Sequence, residues 1–260
     1  FRSLAPDWLA EPDDANDLAA GVWPDTIRRT KKGELSVGGA KASALAERYG
    51  TPVLVLDELH VRERAERTRR AFETAAARHG GSARVYYAGK AFLTSEVARW
   101  MLAAGLNIDV CSRGELETAL AADVPAERIG FHGNNKSVSE LERAIGVGLG
   151  TIIVDSPIEI ERISAIAERL GTSQRVLVRV RSGVHADTHD FLATAHEDQK
   201  FGFSLEEAES AVARIRELPS VEFVGLHCHI GSQIFGVSGF RESASRVLEL
   251  HERLLGGGPV

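Results

Sequence analysis

The chain has 260 residues, of which 43% are hydrophobic, so it can bury the core of one α/β barrel or of two smaller domains. Acidic residues outnumber basic ones by 37 to 31, and the net charge of −6 gives no indication of a nucleic-acid partner or an anionic membrane surface. No apolar run reaches the roughly 18 residues of a membrane span. The two cysteines, Cys111 and Cys228, give neither a disulfide framework nor a metal-ligand spacing, which predicts a cytoplasmic protein.

The N-terminal region differs in pattern from the rest of the chain. The predicted elements are, in order, a hairpin over 31–39, a helix over 43–49, a strand over 51–57 and a long helix over 59–78. Gly33 and the Gly38-Gly39 pair supply the turn residues of the hairpin. We predict that residues 1–58 contribute to a second, β-rich domain.

From Arg84 onward, apolar strands alternate with helices. Strand candidates begin near Arg84, Asn107, Arg128, Thr151, Arg175 and Glu222. Helices are predicted over 95–104, 113–121, 137–145, 157–170, 205–218 and 240–255. This alternation predicts parallel βαβ units, and the nearly continuous apolar strands favour a (β/α)₈ TIM-type barrel over an open sheet. The dinucleotide-binding alternative lacks its G-x-G-x-x-G sequence after any strand.

The predicted barrel, residues 59–260, is incomplete and carries an insertion. The insertion, over 182–203, follows the fifth barrel strand and therefore belongs to the face on which barrel enzymes place their active sites. A barrel of this type requires eight strands, whereas the sequence supplies six. We therefore expect the chain to be a fragment of a longer protein, poorly soluble and inactive when expressed alone, because unpaired edge strands invite aggregation.

Lys90 ends the first of these strands, Arg84–Ala88 followed by Gly89. If the strand alternation continues, its side chain shares a face with Ala88 and emerges at the C-terminal mouth of the barrel. A lysine desolvated there can attack a carbonyl and form a Schiff base with a substrate or with pyridoxal phosphate. The structural alternative is a long side chain that extends to solvent from a strand end.

His227 and His229 lie two residues apart on the last strand, so their side chains share one face. Three interpretations remain open. The pair could chelate a metal with further ligands from His132, Asp109 or Asp155; both could be core histidines satisfied by hydrogen bonds. In the third, His229 lies against an aromatic cofactor while Gly231 and Ser232 bind its phosphate.

Three charged residues also fall at strand ends or inside strands. Asp109 and Arg179 each interrupt an apolar strand, and a charge there requires a partner or a function. Arg179 is a candidate partner for an acid on a neighbouring strand. Glu115 opens a helix, where a carboxylate can simply favour the helix dipole. Ser137 and Glu140 have the spacing of a capping box.

Taken in order, these segments resemble a known family. The matching segments are Tyr86–Phe92, Asp109–Glu115, Val154–Ser156, the Arg179 strand, His189–Phe203 and His227–Gln233. They are similar to the alanine-racemase-like, fold type III pyridoxal phosphate decarboxylases. The insertion and the segment Val22–Pro24 most resemble the actinobacterial type of diaminopimelate decarboxylase.

The resemblance implies decarboxylation of meso-2,6-diaminopimelate to L-lysine by a homodimer. It implies that Lys90 binds pyridoxal 5′-phosphate covalently, that His229 stacks on the ring, and that Gly231 and Ser232 bind the phosphate. The same resemblance gives three groups for the polar network beneath the cofactor and two on the substrate side: Asp109, Glu115 and Arg179, and His189 and Lys200. It also implies that strands 7 and 8 and a C-terminal β-domain are missing. The competing hypotheses are a decarboxylase of another basic amino acid or polyamine precursor, a non-catalytic pyridoxal phosphate carrier, and a metal-dependent hydrolase.

Overall fold

The computed structural model describes residues 14, 16–18, 22–184, 201–232 and 236–256. The chain divides into two compact units, Phe1–Ser82 and Ala83–Val260. The domain boundary predicted between residues 58 and 59 stays a prediction. No helix in the described ranges is both long and apolar enough to cross a membrane.

The first unit contains a small antiparallel sheet and two helices. Its elements are β1 (Arg28–Arg29), β2 (Leu35–Val37), β3 (Ala40–Lys41), α1 (Ala42–Tyr49) and α2 (Glu58–Ala77). The sheet has the order β1-β2-β3, with turns at Gly33 and at Gly38-Gly39. All three glycines have positive φ, a conformation that other residues rarely adopt. The predicted turn residues are therefore confirmed, although the region forms two successive hairpins.

The strand predicted over 51–57 is wrong. No strand within the described residues pairs with this segment, and a strand exists only where its backbone hydrogen bonds to a neighbour. Its apolar side chains, Val53 to Leu56, are all exposed. The predicted apolar pattern is present, but apolar residues alone do not form a strand without a partner strand.

The second unit is a parallel sheet with intervening helices, which confirms the predicted α/β class. Its strands are β4 (Tyr86–Ala88), β5 (Asn107–Val110), β6 (Ile129–Phe131), β7 (Thr151–Val154), β8 (Gln174–Val180) and β9 (Val221–Cys228). Its helices are α3 (Ser95–Ala103), α4 (Arg113–Ala121), α5 (Val138–Gly146), α6 (Pro157–Leu170), α7 (Leu205–Arg216) and α8 (Ser238–Leu255). The strands pair in chain order from β4 to β9, all parallel.

Local sequence signals set the helix boundaries in this unit. Ser137 accepts a hydrogen bond from the Glu140 backbone N–H, and Glu140 accepts one from the Ser137 backbone N–H, which confirms the predicted capping box. Pro157 in the first turn of α6 and left-handed Gly171 after its last residue mark the two ends of that helix. The predicted helices therefore lie within two residues of the observed ones.

The core lies between the sheet and these helices. Its fully buried side chains include Ile108, Phe131, Ile152, Ile163 and Val178. Parallel strands covered by helices are buried on both faces, which explains the nearly continuous apolar runs. All six C-terminal strand ends therefore open at one edge of this unit.

Candidate active site at the strand ends

A cavity of about 400 Å³ opens at the C-terminal ends of the strands of the second unit. It is lined by Ala88, Lys90, Asp109, Cys111, His132, Gly133, Asn134, Arg179, Phe201, His227 and His229. The first and last strands of the sheet, β4 and β9, both contribute to this lining, although four strands separate them in the pairing order. The sheet must therefore curl so that its strand ends face a common interior, as in part of a (β/α) barrel.

Lys90 lies on the wall of this cavity. Strand β4 ends at Ala88, and Lys90 occupies a short 3₁₀ turn, Gly89–Ala91, where its side chain is exposed. The expectation that Lys90 continues the strand alternation is therefore wrong. The hydroxyl of Tyr87 donates a hydrogen bond of 2.6 Å to the carbonyl of Phe92 across this turn. Gly89 is buried, and a Cβ there would lie 2.7 Å from the Asp109 carbonyl oxygen, so the turn packs directly on β5.

Asp109 lies in β5 with its carboxylate directed across β6. It pairs with Ala88 on one side and with Gly130 on the other. A Cβ on Gly130 would collide with Oδ1 of Asp109, so glycine at that position makes room for the carboxylate. Oδ2 of Asp109 lies 3.2 Å from Nε2 of His132, the residue that follows β6. The sequence correctly marked Asp109 as an acid that requires a partner.

His227 points into the same interior from β9. Its ring and that of His132 meet edge to face, with centroids 4.8 Å apart and planes inclined by 70°. Burial, together with the charges of His132, Arg179 and His229, lowers the pKa of His227 to about 3. The ring is therefore neutral at physiological pH. Its buried Nδ1 has no hydrogen-bond partner among the described residues.

The segment after β9 carries the predicted ring-stacking and phosphate-binding residues. His229 is half-buried and lines the cavity. Gly231 has a φ of 127°, which favours glycine, and Ser232 is exposed beyond the lining side chains. The structure therefore brings His229 to the cavity and places Ser232 at the turn that leaves it.

Arg179 is paired with Asp155, an acid at the end of the adjacent strand, as the sequence suggested. Nη1 of Arg179 lies 3.4 Å from Oδ2 of Asp155, and both side chains are largely buried. The other oxygen of Asp155 accepts a 2.7 Å hydrogen bond from the Gly202 N–H. Phe201 covers the guanidinium, with Cζ of Arg179 5.4 Å from the ring centroid. Arg179 is thus fixed on two sides at the cavity.

Lys136 and Glu159 form a buried ion pair that the sequence analysis missed. Their side chains are 1% and 6% exposed, and Nζ of Lys136 lies 2.6 Å from Oε1 of Glu159. The same amine donates to the carbonyls of Gly133 and Ile153, each at 2.7 Å. Oε2 of Glu159 accepts from the Asp155 N–H at 2.8 Å. Burial raises the pKa of Glu159, opposed by Lys136 and by the Asp155 N–H.

Glu115 does not line the cavity, although the resemblance places it in the network beneath the cofactor. Its Oε2 accepts a 2.7 Å hydrogen bond from the Cys111 N–H, and its own N–H donates to Oγ of Ser112. It therefore fixes the chain between β5 and α4. This role is similar to the structural alternative, in which Glu115 is an acid in the first turn of a helix. His189 and Lys200 lie outside the described residues.

The metal alternative finds no support in the described residues. Within these ranges, no three His, Cys, Asp or Glu side chains are grouped as ligands for a metal ion. The two histidines of the His-x-His segment both reach the cavity, but the near neighbour of His227 is the ring of His132. These contacts are those of packed rings rather than of a coordination sphere.

The lining fits an enzyme that binds an anionic, aromatic carbonyl compound at the strand ends of a parallel sheet. Lys90 supplies an amine that can join a carbonyl, His229 a flat ring, and Arg179 a fixed positive charge. Residues 59–258 match the model of the family described as pyridoxal-dependent decarboxylase, pyridoxal binding domain, and the chain belongs to that family. The cofactor is accordingly pyridoxal phosphate, whose carbonyl, ring and phosphate suit these groups.

Comparison with individual proteins shows which members of the family this chain resembles. The chain is 49% identical over 251 residues to diaminopimelate decarboxylase of Mycobacterium leprae, which covers 96% of this chain and 52% of that protein. It is 45% identical to diaminopimelate decarboxylase of Bacillus subtilis, over 86% of this chain and 51% of that protein. The crystal structure of diaminopimelate decarboxylase from M. jannaschii in complex with L-lysine superposes with a TM-score of 0.82. The sequences are 31% identical, and the match covers 91% of this chain and 55% of that one. The chain spans about half the length of the curated relatives it matches.

Proposed function

We propose that the protein catalyses the pyridoxal phosphate-dependent decarboxylation of meso-2,6-diaminopimelate to L-lysine and CO₂. The observation that carries the proposal is the exposed amine of Lys90 on the wall of a cavity that also presents His229 and Arg179. The high identity to proteins named diaminopimelate decarboxylase supports this substrate over other amino acids. The reaction makes the protein a carboxy-lyase of lysine biosynthesis.

Each of several residues at the cavity has a separate proposed role in binding the cofactor or the substrate. Lys90 would attach the cofactor, His229 would lie against its ring, and Gly231 with Ser232 would contribute N–H and hydroxyl groups to its phosphate. When bound, pyridoxal phosphate supplies the electron sink that accepts the electron pair left by departing CO₂. Arg179, fixed by Asp155, supplies a positive charge at the base of the cavity.

Asp109 and Glu115 have different tasks in this arrangement. The Asp109 carboxylate lines the cavity that contains Lys90, where it places a negative charge near the proposed cofactor site. Glu115 holds the Cys111 backbone, and so the wall between β5 and α4, through its 2.7 Å hydrogen bond. His189 and Lys200, in the insertion that follows β8, are proposed for the substrate side on the resemblance of their segment alone.

The quaternary and domain organisation is part of the same proposal. We expect the six strands to belong to a (β/α)₈ barrel, residues 59–260, closed by two further strands, with residues 1–58 joined to a second β-domain. We also expect a cytoplasmic homodimer that takes a small amino acid as its substrate and binds neither nucleic acid nor a membrane. The exposed apolar segment Val53–Leu56 supports a further packing partner for the N-terminal region.

The activity is tested on the protein as its gene encodes it, loaded with pyridoxal phosphate. We expect L-lysine and CO₂ to form from meso-diaminopimelate and the cofactor absorbance to change on addition of this substrate. Lys90→Ala should abolish both signals, whereas Lys41→Ala, at an exposed lysine of the first unit, should preserve them. Faster turnover of ornithine or arginine would overturn the substrate assignment. Cofactor binding without turnover of any amino acid would instead indicate a carrier.

A further inference from the structure

Two histidines of the cavity, His132 and His227, have no part in the function proposed above. Both line the cavity, from the ends of β6 and β9 respectively. These strands are not neighbours in the sheet, so the two rings meet across the interior. A contact of this kind depends on the curl of the sheet and not on local sequence.

The position of His132 is determined by the acid beside it. Gly130 leaves space above β6, and the Asp109 carboxylate occupies that space within 3.2 Å of the His132 ring nitrogen. Nε2 of His132 and Oδ2 of Asp109 are therefore in close polar contact. The two side chains are 19% and 26% exposed, so this contact is partly shielded from water. A contact of this kind restricts the rotation of the Asp109 side chain.

The position of His132 is in turn limited by His227. The two rings meet edge to face, an arrangement that aromatic rings favour. His227 is neutral, so it places no positive charge beside His132. Its role in this contact is steric and requires a ring rather than a titrating nitrogen.

We propose that His132 is a positioning residue that holds the Asp109 carboxylate in place on the wall of the cavity that contains the cofactor-binding lysine, and that the His227 ring keeps His132 in position. The inference rests on the proposed function in that Lys90 must bind the cofactor. It assigns a task to two cavity histidines to which the proposed function gives none. With the carboxylate held in place, the cationic form of the nitrogen that joins Lys90 to the cofactor is stabilised.

Several other charged or titratable groups face this pair. They are Lys90 after β4, Cys111 after β5, Arg179 in β8 and His229 after β9. Glu115 and Lys136 lie behind the wall and also act on the Cys111 thiol, whose pKa is raised, chiefly by burial and by Glu115. None of these groups is changed in the variants below, so their contributions cancel in the comparison.

The measurement is the pH at which the absorbance of the lysine-bound cofactor changes, taken without substrate in the naturally encoded, cofactor-loaded protein. Asp109→Asn should lower this midpoint by about one pH unit or more, because a nearby negative charge favours the cation. His132→Phe should lower it in the same direction by less, and His132→Gln, which keeps a donor near the Nε2 position, should restore it. His227→Phe should leave it unchanged, whereas His227→Ala should lower it. His79→Gln, at an exposed histidine of the first unit, is the control.

The double variant Asp109→Asn with His132→Phe separates positioning from a general structural effect. If His132 acts through Asp109, the double variant has the midpoint of Asp109→Asn alone. Additive shifts, an unchanged midpoint in His132→Phe, or equal shifts in His132→Gln and His132→Phe would each overturn the inference. Such outcomes leave the proposed function standing, whereas an unaltered protein that binds no cofactor at Lys90 would overturn the proposed function and the inference with it.

Discussion

Lys90 and Lys136 both follow strands of the same sheet, yet they are built into the protein in opposite ways. Lys136 is 1% exposed and surrounded by three oxygens, from Glu159, Gly133 and Ile153. Lys90 is exposed on the wall of the cavity. A buried ammonium group whose hydrogen bonds are all made within the protein has a structural role. An exposed amine beside a cavity remains available to bind a ligand.

Other polar groups at the strand ends differ in exposure in the same way. His229 is half-buried and open to the cavity, whereas Nδ1 of His227 is buried. Substitution of a side chain that is accessible from the cavity should therefore change cofactor binding with little change in stability. Substitution of a buried polar side chain should change stability with little change in cofactor affinity.

Substitution of Lys90 should have the largest effect on function and a small effect on the fold. Lys90→Ala removes the only proposed point of covalent attachment, so activity should fall by several orders of magnitude. Because the side chain is exposed, the thermal unfolding temperature should remain close to that of the unaltered protein. Activity assays and thermal melts of the same preparations test both statements. A large loss of stability in Lys90→Ala would contradict the distinction between the two lysines.

Substitution of Lys136 should produce the opposite result. Lys136→Met leaves the Glu159 carboxylate buried without its counter-charge, which should reduce the free energy of unfolding by about 3–5 kcal/mol. The double variant Lys136→Met with Glu159→Leu removes both charges, and most of the lost stability should return. Chemical denaturation of the three proteins measures these differences. If the double variant is no more stable than the single one, the pair has a role other than mutual neutralisation.

The buried His227 should make stability fall on the acid side. Its pKa is lowered from 6.5 to about 3 in the folded protein, so the unfolded chain takes up a proton that the folded protein excludes. Stability is therefore lost as the pH falls from about 6.5 toward about 3. His227→Phe removes this penalty and should gain about 1 kcal/mol relative to the unaltered protein between pH 7.5 and pH 5.5. Parallel melts at the two pH values test this, and a constant difference would show that His227 is protonated when folded.

The smallest expected effect is on cofactor affinity, on substitution of His227 in β9 or of His229 just after it. His229→Ala removes a ring proposed to lie against the cofactor, so the dissociation constant should rise by roughly threefold to tenfold. His227→Ala should change it far less, because that ring contacts His132. Titration of the apoprotein with pyridoxal phosphate compares the two. Equal losses, accompanied by stoichiometric zinc in the unaltered protein, would restore the metal-binding alternative.

Much of the second unit was predictable because strands β5 to β7 are almost wholly buried and the helices carry local capping signals. All six predicted strands occur, each beginning within two residues of the expected position, and α4 and α6 have the predicted limits. Asp109 and Arg179 were recognisable because a charge inside an apolar strand must find a partner, and both partners, His132 and Asp155, lie on adjacent strand ends. The sequence therefore reveals that such a charged residue needs a partner.

The contacts that the sequence did not reveal depend on tertiary proximity. In the sequence, Lys136 lies in a polar turn, where a lysine is expected to be exposed to solvent. Glu159 lies in the first turn of a predicted helix, where an acid is expected simply to favour the helix dipole. They meet only because the loop after β6 packs against the start of α6. The edge-to-face contact of His132 with His227 likewise requires the curl of the sheet. The strand predicted over 51–57 failed for the related reason that pairing needs a second strand.

Reduction of the cofactor-loaded protein with borohydride, followed by peptide mass mapping, tests whether Lys90 rather than another amine holds the cofactor. Residues 1–260 contain six lysines, at positions 31, 32, 41, 90, 136 and 200, and the labelled peptide shows which lysine is attached. The expected result is one reduced pyridoxyl group on the peptide that contains Lys90 and none on the peptide that contains Lys136. A label on any other lysine, or stoichiometric cofactor that borohydride does not fix to the chain, would contradict it.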